Sequence, residues 1–117
     1  HLRWFLETEE KKVKSSEKVR FVGGGALSDL TCQILADCLG KTVETVDTPQ
    51  NVGAMGAAVL IAVGLGQCKS IEDAKSLIPV SKTFEPNMEN KKVYDKYYEV
   101  YKNLYKSNKE NFAKLNS

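Results

Sequence analysis

Hydrophobic residues recur at helical spacing in four stretches of the chain, and each stretch predicts a helix. Leu2, Phe5 and Leu6 share one face in the first, so the helical pattern is present from the first residues. Gly40 follows the second stretch at the position of a C-terminal cap. The third is small and apolar throughout, which is typical of a buried, closely packed helix. The four helices are predicted at residues 2 to about 11, 29–39, 52–63 and about 88–105, with a shorter one over 70–77.

Two short β-branched stretches predict strands at residues 19–22 and 42–46. We expect them to be neighbours in one sheet, with helices 29–39 and 52–63 packed on it. Two strands are few for an independent sheet, so further strands are expected upstream. Such a fragment would expose apolar surface and self-associate, and a homodimer is one expected form.

The last predicted helix carries an apolar stripe and a charged opposite side. Two interpretations stay open for the stripe. It is a tyrosine-rich packing face within the fold, which is the more typical case, or it binds a partner as a non-catalytic interaction module. The stripe consists of Val93, Tyr97, Val100, Tyr101 and Leu104.

The loop after the first strand is the most informative segment for function. Gly23, Gly24 and Gly25 follow the strand directly, and Ser28 or Asp29 can cap the next helix. Residues 23–28 are called the glycine loop below. Its glycines allow close approach of a ligand, and the helix N-terminus favours a phosphate. A tight turn that merely needs glycine is the equal alternative.

Two familiar glycine motifs do not fit this loop. The dinucleotide fingerprint requires a third glycine where Ser28 stands. A Walker loop ending at Gly40-Lys41-Thr42 would require a glycine at Leu35, and Gly40 leaves a helix instead of entering one.

Charge and cysteine content exclude several classes of protein. The net charge is +2, from 17 basic and 15 acidic residues, so we expect no nucleic-acid or membrane partner. The longest apolar stretch, residues 52–65, is interrupted by glycines and too short to span a bilayer. Cys32, Cys38 and Cys68 lack disulfide-framework or zinc spacing, which predicts free thiols and a cytoplasmic location.

Candidate catalytic groups are scarce. The only histidine, His1, lies at the chain end, so no serine or cysteine triad has a base. Asp37 and Asp47 are the acids nearest the glycine loop, and we interpret them as a helix-surface charge and a turn former. No carboxylate pair suggests a metal site. We therefore predict no catalytic residue and no metal ligand.

Two linked motifs resemble the FGGY family of carbohydrate kinases. Phe21-Val22-Gly23-Gly24-Gly25-Ala26-Leu27-Ser28, followed by Gln33-Ile34-Leu35-Ala36-Asp37, is similar to the adenosine motif of that family. Val52-Gly53-Ala54-Met55-Gly56-Ala57-Ala58 is similar to its following helix. The resemblance covers residues 2–66 well, and the tail, with Phe84, Pro86 and the tyrosines, more loosely.

The resemblance implies a fold and a site. The fold is α/β, a partial ribonuclease-H-like domain of the actin-like ATPase superfamily, C-terminal half. Residues 1–117 would be the C-terminal portion of the nucleotide-binding domain, with the N-terminal domain absent. Ser28 and Asp29 would lie near the adenine, although Asp29 departs from the Asn or Pro often found there. The nucleotide's α-phosphate and adenosine would be contacted through Gly23, Gly24, Gly25 and Ala26.

The implied activity belongs to an intact parent protein. It would use ATP with Mg²⁺, release ADP, and transfer the γ-phosphate to the hydroxyl of a sugar. A pentulose of the xylulose type is the first expectation, with glycerol, gluconate or ribulose as alternatives. The family's catalytic Asp, phosphate-gripping loop and sugar pocket lie in segments that these residues do not match. We therefore expect the fragment alone to be inactive; a stand-alone nucleotide sensor is a further alternative.

Overall fold

The structure, a computed structural model, describes the backbone of residues 1–116 and the side chains of residues 1–73 and 77–116. Its helices are α1 (Leu2–Glu10), α2 (Asp29–Leu39), α3 (Val52–Gly64) and α4 (Met88–Leu115). Its strands are β1 (Lys18–Arg20), β2 (Thr42–Val46) and β3 (Val80–Phe84). Short 3-10 turns lie at Gly24–Leu27, Pro49–Asn51 and Glu72–Leu77. None of the helices described combines the length and hydropathy that a bilayer crossing needs.

The sheet is mixed, with β2 in the centre. β1 runs parallel to β2 and pairs Val19 with Val43, whereas β3 runs antiparallel and pairs Phe84 with Val43. The neighbouring arrangement of the first two strands is as predicted. β1 is shorter than predicted. The Phe21 amide makes the last hydrogen bond of this pairing, 2.9 Å to the Glu44 carbonyl, and the chain then leaves the sheet.

The third strand was not predicted. Four of its five residues are exposed, so it lacks the alternation of apolar and polar positions that identifies a half-buried strand. Only Phe84 reaches the core. Both predicted strands are present, but the sequence analysis missed a third, and β2 has a neighbour on each side.

The core lies between α2 and the sheet, as predicted for this helix. Local sequence fixes both ends of α2, because the Ser28 side chain caps its first turn and Gly40 ends it at φ 66°. The Lys91 stem packs against Gly40, and a β-carbon there would lie 2.5 Å from Lys91 Cε. The core consists of Ala26, Cys32, Ala36 and Val43, with Phe21, Leu35 and Phe84 packed around them.

The prediction that α3 is buried on the sheet is wrong. Val59 is its one buried residue, and Leu60 and Ile61 are 60% and 63% exposed. The preceding turn, Pro49–Asn51, is its main neighbour among the elements described. Much of the apolar surface of α3 is therefore left exposed by the residues that the structure describes.

Helix α4 runs to Leu115, well beyond the predicted end near residue 105. The packing face is also not the predicted stripe, since Val93 and Tyr97 of that stripe are 52% and 63% exposed. The buried residue is Tyr98, which lies outside the predicted stripe. A tyrosine can be buried here because its hydroxyl has a partner inside the protein.

Tyr98 joins α4 to α1. Its hydroxyl donates a 2.8 Å hydrogen bond to Glu7, and the Arg3 guanidinium lies 4.1 Å from the centre of its ring. Burial and the hydrogen bond to Glu7 raise the pKa of Tyr98 to about 12. Arg3 also binds Asp95 of α4 at 2.6 Å, and Trp4 contacts the Tyr101 ring edge-on at 6.2 Å between centroids.

Asp37 is buried, at 2% exposure, and not the surface charge predicted from the sequence. Its carboxylate accepts three hydrogen bonds of 2.8 Å: from the Gln33 amide, the Asn87 backbone and the Asn90 amide. Burial raises the pKa of Asp37, but the three hydrogen bonds outweigh it and hold the pKa below its ordinary value. These bonds fix the start of α4 against the end of α2.

Replacing Asp37 by Asn should lower the free energy of unfolding by about 1.5–3 kcal/mol, because an amide cannot satisfy three donors. Since the folded pKa of Asp37 lies below its ordinary value of 3.8, its contribution is full above that value and is lost as the pH falls through the folded pKa. In urea unfolding between pH 2 and 7, the free energy of unfolding of Asp37→Asn should therefore fall less steeply toward acid pH than that of the parent chain. Glu89→Gln, which alters an exposed ion pair with Lys92, is the control and should match the parent chain.

Candidate functional site

The glycine loop connects β1 to α2 through the 3-10 turn Gly24–Leu27. Gly23 adopts φ 94°, a conformation that side chains rarely allow, so this position requires glycine. Its amide donates a 2.8 Å hydrogen bond to the Pro49 carbonyl. The loop is thereby fastened to the turn that follows the neighbouring strand, and both lie at the same edge of the parallel pair.

Two amides of the loop remain unpaired. Ala26 donates to the Gly23 carbonyl at 3.1 Å and Ser28 to the Gly25 carbonyl at 3.4 Å. The amides of Gly24 and Gly25 have no acceptor among the residues described, and both residues are exposed. They are the first donors of a helical turn, the arrangement in which N–H groups bind anions.

Gly24 and Gly25 differ in what a side chain would meet. A β-carbon at Gly24 would have no atom within 4 Å, whereas one at Gly25 would lie 3.1 Å from Cζ of the Phe21 ring. The free space that the sequence suggests for a ligand is therefore beside Gly24. At position 25 a side chain would press on the Phe21 ring.

Ala26 and Ser28 have clear structural roles. Ala26 is buried, and its carbonyl accepts a 3.6 Å hydrogen bond from the Cys32 thiol. Burial raises the pKa of that thiol, so Cys32 is a packing residue and not a nucleophile. Ser28 Oγ accepts a 3.2 Å hydrogen bond from the Thr31 amide. Its hydroxyl hydrogen is left for another acceptor.

Asp29 has a partner that the sequence did not reveal. Lys82 Nζ lies 2.7 Å and 2.9 Å from the two oxygens of its carboxylate. Lys82 belongs to β3, the strand without an apolar pattern, so no spacing signal pointed to it. The pair lies at the first turn of α2, directly after the glycine loop.

A cavity of about 390 Å³ lies elsewhere, between α1, α2 and α4. Its wall includes Leu2, Ile34, Leu35 and Phe21, together with four tyrosines of α4. No predicted site residue lines it. The glycine loop is accordingly an open surface site, and among the described residues no cluster of histidine, cysteine or carboxylate side chains could hold a metal. The three cysteines are unpaired thiols.

The glycine loop and its flanking elements can be compared with known proteins. The profile of the C-terminal domain of the FGGY family of carbohydrate kinases matches residues 1–65, a segment that contains α1, β1, the loop, α2, β2 and α3. This chain belongs to the FGGY family of carbohydrate kinases. The resemblance stated from the sequence motifs is therefore confirmed.

Individual FGGY proteins support the same assignment. A xylulose kinase of Staphylococcus epidermidis is 40% identical over 95 residues, which are 80% of this chain and 19% of that protein. A xylulose kinase of Bacillus subtilis is 35% identical over 106 residues, 90% of this chain and 21% of the relative. The chain thus spans about a fifth of the length of these curated relatives.

A solved structure supports the fold of this FGGY chain. The ligand-bound xylulose kinase of Lactobacillus acidophilus superposes with a TM-score of 0.85 over 97% of this chain and 23% of that one, at 20% identity. The prediction of an α/β fold of the ribonuclease-H-like, actin-like ATPase type is confirmed.

The two neighbouring glycines should respond differently to the same substitution. Gly25→Val should lower the free energy of unfolding by about 1–3 kcal/mol, because the new side chain is forced against Phe21. Gly24→Val is the matched control and should change it by about 0.5 kcal/mol or less, since the side chain enters open space. Chemical denaturation of both variants measures the difference. Equal stability would contradict the contact between position 25 and the Phe21 ring.

Proposed function

We propose that this chain forms part of the ATP-binding side of a sugar kinase, with the nucleotide at the glycine loop. The observation that carries the proposal is the pair of unpaired, exposed amides at Gly24 and Gly25, in a loop between β1 and α2 of a chain that belongs to a kinase family. Backbone donors at the start of a helical turn suit a phosphate group.

Each residue of the loop has a proposed role. Gly23 shapes the loop through its positive φ, and the Gly24 and Gly25 amides, together with Ala26, face the α-phosphate and adenosine. Ser28 and Asp29 face the adenine, Ser28 with its remaining hydroxyl hydrogen. Mg²⁺ would arrive with the nucleotide phosphates, since the described residues offer no carboxylate cluster to hold it.

The proposed parent reaction transfers the γ-phosphate of ATP to a sugar hydroxyl. A xylulose-type pentulose is the first proposed substrate because the relatives compared above are named xylulose kinases; glycerol, gluconate and ribulose are the alternatives. Residues 1–117 would be the C-terminal portion of the nucleotide-binding domain. The free thiols are consistent with a reducing compartment such as the cytoplasm, and the exposed α3 surface with a homodimer.

A second candidate function is an interaction module built on α4. The apolar stripe on this helix is half-exposed or more, and so could contact another protein. In this case the glycine loop would be a structural turn only. The stripe residues concerned are Val93, Tyr97, Val100 and Leu104.

Titration of the chain with ADP and Mg²⁺, followed by amide chemical shifts, tests the nucleotide site. We expect shifts at Gly24 and Gly25 with a dissociation constant of about 1 mM or weaker, because the groups that would hold the outer phosphates are not among these residues. Gly24→Val should abolish the shifts. Gly53→Val is the control, since its side chain also enters open space but on α3. The absence of shifts at the glycine loop would favour the interaction module, and submicromolar binding would contradict a partial site.

The chain alone should release no ADP from ATP in the presence of xylulose, glycerol, gluconate or ribulose. Sugar hydroxyls are weak nucleophiles, and positioned base catalysis contributes about 100-fold or more. Two acids of α2 are unsuitable as bases: Asp37 is buried with three donors, and Asp29 is bound to Lys82. A coupled ADP assay measures the rate. Sugar-dependent turnover that is lost on substitution of a residue in this chain would overturn the proposal of inactivity.

A further inference from the structure

The ion pair between Lys82 and Asp29 joins the edge strand β3 to the end of the glycine loop. Lys82 Nζ contacts both carboxylate oxygens, at 2.7 Å and 2.9 Å. Both side chains are more than half exposed, so the pair adds little to stability. The ion pair lies at a candidate ligand site and adds little to stability. Its role is therefore better explained as orienting the Asp29 carboxylate than as stabilising the fold.

The register of the sheet places Lys82 on the side of α2. Phe84 pairs with Val43 and Lys82 with Thr45, and the register shifts only beyond this pair, where Val46 pairs with Val80. Residues directly opposite each other in an antiparallel pair lie on the same face, as do residues two apart along a strand. Lys82 therefore shares the sheet face of Thr45, the face on which α2 packs.

The chemistry of the pair favours a nucleobase over a phosphate. The ammonium charge of Lys82 is already balanced by Asp29, and the carboxylate would repel an anion at the same place. The unpaired amides at Gly24 and Gly25 are the better phosphate donors. A carboxylate accepts up to about four hydrogen bonds, so Asp29 can hold Lys82 and still accept from an amino group.

We propose that Lys82 is a positioning residue of the nucleotide site, which holds the Asp29 carboxylate so that it accepts a hydrogen bond from the amino group of the base. This inference rests on the proposed nucleotide function of the loop. It adds a residue from β3, outside the glycine loop and its motif, and assigns it to recognition of the base rather than of the phosphates.

Two partial ligands separate these roles. Adenosine carries the base without phosphates, and pyrophosphate with Mg²⁺ carries phosphates without the base. Binding of each to the 117-residue chain is followed by amide shifts at millimolar ligand. Lys82→Met should weaken adenosine binding by roughly threefold to tenfold, the effect of one hydrogen bond, and leave pyrophosphate binding unchanged. Lys82→Arg should restore adenosine binding. Lys92→Met, which removes a similarly exposed ion pair on α4, is the control.

A double substitution tests whether Lys82 acts through Asp29. In an Asp29→Asn background, Lys82→Met should have no further effect on adenosine binding, because the positioned carboxylate is gone. Independent, additive effects would overturn the positioning role. Weaker pyrophosphate binding with adenosine unaffected would also overturn it, since Lys82 would then be a phosphate ligand. If neither ligand nor ADP binds the parent chain, the proposed function fails together with this inference.

Discussion

The placement of α4 depends on one buried carboxylate. Asp37 lies near the end of α2, and two of its three donors, Asn87 and Asn90, lie at the start of α4. The third, Gln33, also donates a 2.8 Å hydrogen bond to the Glu85 carbonyl, so the segment leading into α4 is held twice. A buried charge is unfavourable unless donors surround it, and here those donors come from two elements far apart in sequence. The carboxylate is stable only when both elements are in place.

Helix α2 transmits this constraint to the candidate site. Its last turns carry Asp37, and its first turn is capped by Ser28 at the end of the glycine loop. Between the two ends, Cys32 and Ala36 pack on Val43 of the central strand. The loop is thus attached to a rigid helix, while Gly25 rests over the Phe21 ring. In this arrangement the Phe21 ring fills the space beside Gly25, whereas the space beside Gly24 stays open.

The sequence predicts the parts of this structure that local chemistry determines. The cap at Ser28, the left-handed glycine at position 40 and the paired strands β1 and β2 follow from residue type and spacing alone. The burial of Asp37 does not follow from local sequence, because its two donors on α4 lie 50 residues or more away along the chain. The strand that carries Lys82 is equally hidden, since it is mostly exposed. For α3 the apolar pattern predicted burial, but a pattern cannot tell whether anything in the chain lies opposite to cover it.

The contact between α1 and α4 includes Trp4, the one tryptophan of the chain. Its indole ring lies edge-on to the Tyr101 ring, with 6.2 Å between the centroids. Intrinsic fluorescence excited at the indole band therefore reports whether α1 is docked on α4. A fluorescence melt of this protein follows that contact between the two helices, and events at the Gly24 and Gly25 amides need a separate probe.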